Sequence, residues 1–286
     1  MKFLLTGCFH GKVPKNLFSA IKKEHVDCLL ITGDFVDGSG VRNIEFGNYE
    51  KVIKFLRTGH SWEESLGIIG GKRLIKKYKN EIKKDNINVK KLLSKIVKIK
   101  IPVYYGFGNH ESYPSTKKIV KNTLNKRKNF YCIHKKIKRI KGIDILGYTG
   151  YRGSSEKVYL DMRRLLSSQA KKELTRKEKR MRSELKQLFK KTKQPVILLT
   201  HDPPYGRLDT LYNRKSFLHR KCIGEKITRE ADKKFKPLIH CCGHMHETRG
   251  MAKIGKTIVI NHGLGQKGHF ATFEIIKNSI KNIKFY

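Results

Sequence analysis

The chain has 286 residues, of which 38% are hydrophobic, and it carries 64 lysines and arginines against 24 aspartates and glutamates, a formal net charge of +40. This length suffices for a large hydrophobic core, in one domain or one domain with insertions, and the composition excludes a wholly disordered protein. The charge favours polyanionic partners: nucleic acid, an anionic membrane surface or a highly phosphorylated substrate. A nucleotide-composition bias does not account for the imbalance, because such a bias would enrich glutamate together with lysine.

The cysteines and the N-terminus bear on the compartment. The six cysteines are spaced neither as a disulfide framework nor as a zinc ribbon, which indicates a reducing compartment. The segment Leu5-Thr6-Gly7-Cys8 resembles a lipoprotein cleavage box, but only Phe3, Leu4 and Leu5 precede it as an apolar run, too few for a signal peptide. No apolar run approaches the length of a membrane span. We therefore expect a cytoplasmic protein without a transmembrane segment.

Short apolar runs that end in polar or glycine clusters recur along the chain and predict buried strands. They are Lys2–Thr6, Asp27–Thr32, Ile101–Gly106, Ile143–Gly147, Val196–Thr200 and Pro237–Cys242. Helical patterns separate several of these runs, one at Val13–Glu24 and a longer one at about Asn48–Lys98 with a break at Gly70-Gly71. Strands that alternate with helices predict an α/β fold.

The remaining segments differ in character. Near the C-terminus four successive strands, with a tight turn at Gly255-Lys256, predict an antiparallel meander beside the earlier sheet. Ser154–Lys193 has a helical period and is strongly basic. From Ser112 to Pro195 there are 26 lysines and arginines against 6 acidic residues, so half of the excess charge lies in less than a third of the chain.

Five clusters of potential metal ligands each directly follow one of the apolar runs. They are Cys8-Phe9-His10-Gly11, Gly33-Asp34-Phe35-Val36-Asp37, Gly108-Asn109-His110-Glu111, His201-Asp202-Pro203-Pro204 and Gly243-His244-Met245-His246-Glu247. In an open α/β sheet, ligands bind outside the carboxyl ends of the strands, so this placement predicts that the clusters converge. Imidazole nitrogens together with carboxylate and amide oxygens suit Mn, Fe, Zn, Co or Ni. Each cluster alone is a weak signal, but coincidence explains all five in order poorly.

In this order the clusters resemble the calcineurin-like metallophosphoesterase superfamily. That family has Asp-x-His, Gly-Asp-x-x-Asp, Gly-Asn-His-Asp/Glu, a lone His and Gly-His-x-His, and this chain matches all but the first Asp, where it has Cys8. Two stretches, Thr200–Gly206 and Gly243–Glu247, resemble an archaeal and bacterial branch of predicted phosphoesterases related to cyclic-nucleotide phosphodiesterases. The later Val-Asn-Pro-Gly segment of that branch reads Ile260-Asn261-His262-Gly263 here, so the Pro is absent. The resemblance extends from Met1 to about Ile276.

The resemblance implies an α/β/β/α sandwich of two sheets in a single domain, residues 1–286, with helical insertions at about 42–98 and 154–193. It also implies two divalent ions that share Asp34 and hold a bridging hydroxide for attack on phosphorus. One ion would be held by Cys8, His10, Asp34 and His246, and the other by Asp34, Asn109, His201 and His244. His110 would be the general acid, with Asp37 and Glu111 as supports that orient the ligands.

The function with the best support is therefore a phosphodiesterase that acts on a nucleotide or nucleic acid. A phosphomonoesterase is the second candidate, and a scaffold that kept the fold but lost catalysis is the third. Cys8 leaves the third candidate open, because it is either a thiolate ligand or a small apolar filler that leaves the first ion weakly held. The retained His110 argues against the scaffold.

The basic segments suggest a second kind of partner. We hypothesise that Ser154–Lys193, with Lys126-Arg127-Lys128 and Lys135–Arg139, binds the backbone of RNA or DNA. The arginines that would carry this binding are Arg163, Arg164, Arg180 and Arg182. A solvated helix face is the simpler alternative. The sparse aromatics, Tyr159 and Phe189, argue against a platform that stacks bases.

Overall fold

The computed structural model describes residues 1–57, 60–149, 168–193, 195–214, 216 and 218–286. Within these ranges, two six-stranded sheets are formed. The first contains β1 (Lys2–Thr6), β2 (Cys28–Ile31), β3 (Val103–Tyr105), β4 (Phe130–Cys132), β11 (Ala271–Ile276) and β12 (Ser279–Phe285). The second contains β5 (Lys136–Ile140), β6 (Ile143–Gly147), β7 (Val196–Leu199), β8 (Ile239–Cys242), β9 (Gly250–Ile254) and β10 (Thr257–Asn261). The helices are α1 (Asn16–Lys23), α2 (Ser39–Arg57), α3 (Trp62–Ile96), α4 (Pro114–Leu124), α5 (Ser168–Lys190) and α6 (Lys226–Phe235).

Each sheet has a parallel centre and an antiparallel edge. The first sheet runs β12-β11-β1-β2-β3-β4, and its strands β1 to β4 are parallel. The second runs β5-β6-β7-β8-β10-β9, and β6, β7, β8 and β10 are parallel. The carboxyl ends of parallel neighbours lie at one edge of a sheet, so the loops after these strands are brought together.

Alternating side chains build three hydrophobic layers. Leu4 packs among the helices on the outside of the first sheet, whereas its neighbours Phe3 and Leu5 pack between the two sheets. On the outside of the second sheet, Leu185 of α5 and Ala231 of α6 cover the strands. Successive strand residues point to opposite faces of a sheet, so the residues of one apolar run pack into two hydrophobic layers, one on each face. This arrangement confirms the predicted α/β/β/α sandwich.

The long helical zone contains the predicted break. Gly71 has non-helical angles (φ 60°, ψ −162°) inside α3, and α3 begins at a capping box in which Ser61 and Glu64 exchange hydrogen bonds. Helices α2 and α3 pack on each other through a small apolar cluster that contains Val41 and Leu66. The second predicted insertion is described only from Ser168 onward, and residues 154–167 lie outside the described ranges. The division into one domain with two insertions stays a prediction.

The predicted C-terminal meander is wrong. β9 and β10 form a hairpin in the second sheet, with Gly255 (φ 57°) in its turn, and β10 runs parallel to β8. β11 and β12 form a separate hairpin in the first sheet, where β11 pairs antiparallel with β1. Both hairpins bury apolar faces in the layer between the sheets, so their hydrophobic patterns look alike. These patterns do not indicate which sheet has an unpaired edge, and the prediction failed for that reason. Strands β4 and β5 and helices α4 and α6 were not predicted from the sequence.

Across the described parts of the chain, none of the helices combines the length and the apolar character that a membrane span requires.

Candidate metal centre

The loops after β1, β2, β3, β7 and β8 meet at one rim of the sandwich. They bring together every predicted ligand although these are spread over most of the sequence: Cys8, His10, Asp34, Asn109, His201, His244 and His246, with His110 beside them. Four of these residues, Cys8, His10, Asp34 and His244, have positive φ angles of 49°, 44°, 55° and 65°. This backbone region is unfavourable for residues other than glycine, and such strain is typically concentrated at functional sites.

The first group of donors lies around Cys8. One ligand atom each from Cys8, His10 and His246 lies within 4.8 Å of the other two. The Nε2 atoms of His10 and His246 are 3.4 Å apart. The Cys8 thiol is fully buried and accepts a hydrogen bond of 3.3 Å from the backbone N–H of His244. Burial and the neighbouring Asp34 carboxylate raise the pKa of this thiol well above its usual range, whereas a bound cation would lower it.

The second group of donors lies around His201. Its Nε2 atom is 2.9 Å from Asn109 Oδ1 and 3.2 Å from Asp34 Oδ2. His244 joins this group, with its Nε2 atom 3.6 Å from Asp202 Oδ1. The buried Asn109 Nδ2 has no hydrogen-bond partner among the described residues. The amide oxygen therefore faces His201, while the N–H groups of the same amide make no hydrogen bond to the described residues.

Asp34 connects the two groups. Its buried Oδ2 lies 3.2 Å from His201 Nε2, 3.8 Å from His110 Nε2 and 4.0 Å from His10 Nε2. Its Oδ1 accepts a 2.8 Å hydrogen bond from the His110 backbone N–H. Burial raises the pKa of this carboxyl, but the imidazoles of His110 and His201 outweigh burial and hold the pKa well below its usual range. The carboxylate thus stands where a ligand shared by two cations would stand.

The loops are held in place by Glu111 and by the backbone of Asp37. The Glu111 carboxylate accepts hydrogen bonds from the backbone N–H groups of Asp34, Val36 and Gly108, at 2.9, 3.1 and 2.8 Å. Burial and the charge of Asp34 raise the pKa of Glu111 to about 7. Asp37 contacts the site through its carbonyl oxygen, which accepts a hydrogen bond from His110 Nδ1. Glu111 therefore ties the loop after β2 to the loop after β3.

The donor set fits divalent metal ions. With bonds of about 2.0–2.3 Å and angles near 90–110°, two ligands of one ion lie about 2.8–3.8 Å apart. The pairs His10–His246 at 3.4 Å and His201–Asp34 at 3.2 Å match this separation. Nitrogen and oxygen donors accept most first-row metals, whereas the Cys8 sulfur, if it is a ligand, would add a preference for Zn or Fe over Mg or Mn.

Three residues near the centre were given no role by the sequence. Asp202 lies in the same donor group as His201 and His244. The Thr32 carbonyl accepts a 3.2 Å hydrogen bond from His201 Nδ1, and its hydroxyl is 2.8 Å from Nε2 of the fully buried His262. The missing Pro in the Ile260–Gly263 segment was the only sequence signal that pointed to His262. Burial lowers the pKa of His262 well below its usual range.

The basic residues of α5 are less free than their charge suggests. Arg182 pairs with Glu230 of α6 and with Glu178, at 2.7 and 3.5 Å, and Arg180 pairs with Glu184 at 3.2 Å. Arg163 and Arg164 lie outside the described residues. The predicted nucleic-acid role of these four arginines stays a prediction.

A basic cleft lies beside the metal centre. It has a volume of about 420 Å³ and is lined mainly by Lys135, Tyr148, Thr149, Arg176, Lys177 and Arg180, with Glu173 and Glu184 also on its wall. The Thr149 hydroxyl accepts a 3.0 Å hydrogen bond from the backbone N–H of Phe107, two residues before Asn109. The cleft therefore adjoins the loop that carries Asn109 and His110.

Comparison with known proteins gives a family match and similar folds. A family model described as calcineurin-like phosphoesterase matches residues 1–248. An uncharacterized protein of Methanocaldococcus jannaschii is 35% identical over 68 residues, a stretch that covers 23% of this chain and only 30% of that protein. One solved structure superposes on 99% of this chain and 98% of its own, with a TM-score of 0.67 and 14% identity. The crystal structure of TT1561 of Thermus thermophilus covers 99% of this chain and 97% of its own, with a TM-score of 0.54 and 11% identity. At such identities the two structures show the shared fold alone.

Proposed function

The chain belongs to the calcineurin-like phosphoesterase family, a family of metal-dependent phosphoester hydrolases, and on that premise we propose that it is a two-metal phosphodiesterase that acts on a nucleotide or on nucleic acid. The observation that carries the proposal is the position of Asp34 Oδ2, between a Cys8–His10–His246 donor group and a His201–Asn109 donor group.

The two donor groups divide the expected work of metal binding. Cys8, His10 and His246 would hold one divalent ion, while Asn109, His201 and His244 would hold the other, with Asp34 shared. Two ions held in this way supply an activated water as nucleophile and positive charge for the phosphoryl oxygens. Asp202 lies close enough to His244 to orient its ring, in the manner of carboxylates behind metal-bound histidines.

His110 is placed to handle the proton of the leaving group. Its Nδ1 donates to the Asp37 carbonyl, which fixes the proton on that nitrogen and turns Nε2 towards Asp34. Burial lowers the pKa of His110 to about 3, with the charge of Arg42 acting in the same direction. A bound phosphodiester brings negative charge to this ring and favours its protonated form. Nε2 can then give a proton to the departing alkoxide.

The basic cleft suggests the substrate class. Arg176, Lys177 and Arg180 line one wall of the cleft beside the loop of Asn109 and His110. A phosphodiester has a second organic group and, in a nucleotide or nucleic acid, further phosphates that extend beyond the reacting centre. The four cations of the cleft outnumber its two carboxylates, although Lys135 and Arg180 both contact Glu184, at 2.6 and 3.2 Å. The remaining positive charge suits such an extended anion better than a small phosphomonoester.

Hydrolysis of two model esters tests the proposal. The purified protein, loaded separately with Mn, Zn and Fe, should hydrolyse bis-p-nitrophenyl phosphate faster than p-nitrophenyl phosphate. The reverse order would support a phosphomonoesterase instead. Inactivity on both esters with all three metals, in protein that retains the bound ions, would overturn the proposal in favour of a scaffold on the same fold.

A further inference from the structure

The peptide unit between Asp37 and Gly38 is bonded on both sides by ionisable side chains. Its carbonyl oxygen accepts the hydrogen bond from His110 Nδ1. Its N–H group donates a 3.2 Å hydrogen bond to Oδ1 of Asp85, a residue of helix α3 that lies 47 positions along the chain. In a planar trans peptide the N–H and C=O groups point in opposite directions, so the three groups form one continuous chain of hydrogen bonds.

From this chain we infer that Asp85 is a positioning residue for the general acid, acting on His110 through the Asp37–Gly38 peptide. A carboxylate that accepts from an amide N–H polarises the amide, and the carbonyl at its other end becomes a better acceptor. The stronger acceptor holds the proton on Nδ1 of His110 and leaves Nε2 directed at the metal centre. The inference rests on the proposed function, in which His110 acts on the leaving group.

Burial makes Asp85 costly to keep for packing alone. Its side chain is only 6% exposed, and its Oδ2 has no hydrogen-bond partner among the described residues. Burial raises the pKa of this carboxyl to about 6, and the Gly38 N–H partly offsets the effect. A buried carboxylate with a single hydrogen bond destabilises the fold relative to an apolar residue. Such a group is more readily explained by a role in the site than by stability.

Gly38 fits the same arrangement. It has a positive φ of 65°, and a Cβ atom at this position would lie 2.6 Å from His110 Nδ1. A side chain here would therefore push the imidazole away from the Asp37 carbonyl. The peptide can approach both partners only because residue 38 is glycine.

The alternative is that Asp85 merely anchors the start of α2, which follows Gly38 directly, to α3. Both roles predict some loss of activity when Asp85 is replaced, so total activity does not separate them. They differ in how the loss depends on the leaving group. A misplaced general acid slows esters of poor leaving groups most, because good leaving groups need little protonation.

The test compares methyl p-nitrophenyl phosphate with methyl phenyl phosphate, whose phenolate is the poorer leaving group. We expect Asp85→Ala to lower kcat about 10-fold or more for the phenyl ester and less than about 3-fold for the nitrophenyl ester, with KM and metal content unchanged. Asp85→Asn keeps an acceptor for the Gly38 N–H without the charge, and it should fold normally and show a smaller loss of the same pattern. Glu63→Gln, in the first turn of α3 and paired with the exposed Lys79, is the control and should leave both rates unchanged. Equal losses for the two esters in the Asp85 variants would overturn the inference.

A second readout does not depend on turnover. In the zinc-loaded protein, ¹⁵N–¹H spectra of the histidine side chains report which ring nitrogen of His110 carries the proton, and His110→Asn identifies its signals. The parent should show a protected Nδ1–H that shifts or exchanges faster in Asp85→Ala. An unchanged His110 signal would overturn the inference. Failure of the parent to hydrolyse either ester would instead count against the proposed function, and the spectra would still decide the role of Asp85.

Discussion

Cys8 and His262 lie against the same glycine. A Cβ atom at Gly243 would be 3.2 Å from Cys8 Sγ and 2.5 Å from His262 Nε2. Cys8 is the position at which the chain departs from the ligand motifs of the family, and His262 is the position at which it departs from the Val-Asn-Pro-Gly segment of the branch it resembles. The two residues are 254 positions apart in the sequence. The structure therefore places both departures in one part of the site, at the Cys8 side of the first donor group.

Exchange of Cys8 tests whether its thiol binds metal. Cys8→Asp should keep two metals per chain and shift the preference from Zn or Fe toward Mn, because a carboxylate oxygen is a harder ligand than a thiolate. Cys8→Ala should lose one metal. Metal content by inductively coupled plasma mass spectrometry measures both, with the buried Cys28, replaced by Ala, as a control far from the donors. If Cys8→Ala binds as much metal and works as well as the parent, Cys8 is not a ligand.

Replacement of the shared carboxylate should have the largest effect on the site. Asp34→Asn removes a negative charge that faces three imidazole nitrogens within 4.0 Å. We expect a loss of at least one metal per chain and a fall in kcat of about 100-fold or more, because both proposed ions would share this ligand. The exposed Asp27, changed to Asn, serves as the control. Full activity and full metal content in Asp34→Asn would refute the shared role.

His110→Asn tests the general acid directly. The variant should bind metal normally but turn over about 10²–10⁴-fold more slowly on esters with poor leaving groups. The loss should be smaller for p-nitrophenyl esters, because nitrophenolate departs with little help from an acid. Steady-state rates across a series of substituted phenyl esters measure this difference. A uniform loss across the series would contradict the role of His110 as an acid.

His134 should make stability depend on pH. Burial lowers its pKa from 6.5 to about 4, and the charges of Lys117 and Lys135 act in the same direction. The folded state therefore prefers the neutral ring, so this contribution is fully present above pH 6.5 and is lost as the pH falls toward 4. The His134→Asn variant should lack this loss. Between neutral and acid pH, the free energy of unfolding should therefore fall by up to about 3 kcal/mol more in the parent than in the variant.

Urea unfolding of the metal-free protein at about pH 7.5 and pH 4.5 measures the effect of His134. The metal is removed with a chelator beforehand, so that loss of metal on protonation of its ligands does not add to the effect of His134. The exposed His25, replaced by Asn, is the matched control. The same pH dependence in parent and His134→Asn would contradict the prediction.

The basic segment Ser154–Lys193 should bind nucleic acid in a salt-dependent way. Neutralising Arg163, Arg164, Arg180 and Arg182 to Gln should weaken binding of single-stranded RNA or DNA and reduce the slope of log affinity against log salt, without changing hydrolysis of a nitrophenyl ester. Arg180 and Arg182 are 76% and 42% exposed in their ion pairs, so phosphates can compete for them.

The control is a variant that loses the same number of positive charges in another part of the chain. An equal loss of positive charge outside α5, at Lys253, Lys277, Lys281 and Lys284, should weaken binding less. Filter binding or fluorescence anisotropy across a salt series compares the two variants. Binding independent of salt, or none at low salt, would leave the lysines and arginines of α5 as a solvated helix face.

The sequence by itself determined the family and the order of the ligand clusters. Each cluster follows an apolar run. A short apolar run predicts a strand from its own residues, without information about the position of that strand in the sheet. The strands at residues 2–6, 143–147 and 196–199 and the break at Gly71 could be predicted because they depend on neighbouring residues. The convergence of His10 and Asn109 follows from the same rule, since the parallel strands β1 and β3 end on the same side of the first sheet. His246 follows β8 of the second sheet, so its contact with His10 depends on how the two sheets pack together.

Only the tertiary structure decided which groups support these ligands. Asp85 reaches Gly38 from a different helix, and His262 reaches Thr32 across 230 positions of sequence. Asp37 contacts His110 through its backbone carbonyl, which every residue type possesses. The two C-terminal hairpins belong to different sheets. Which sheet each hairpin joins depends on which sheet has an unpaired edge strand nearby, and the hydrophobic pattern of the hairpin does not contain that information. These contacts depend on residues distant in the chain, so no local pattern of hydrophobicity or spacing encodes them.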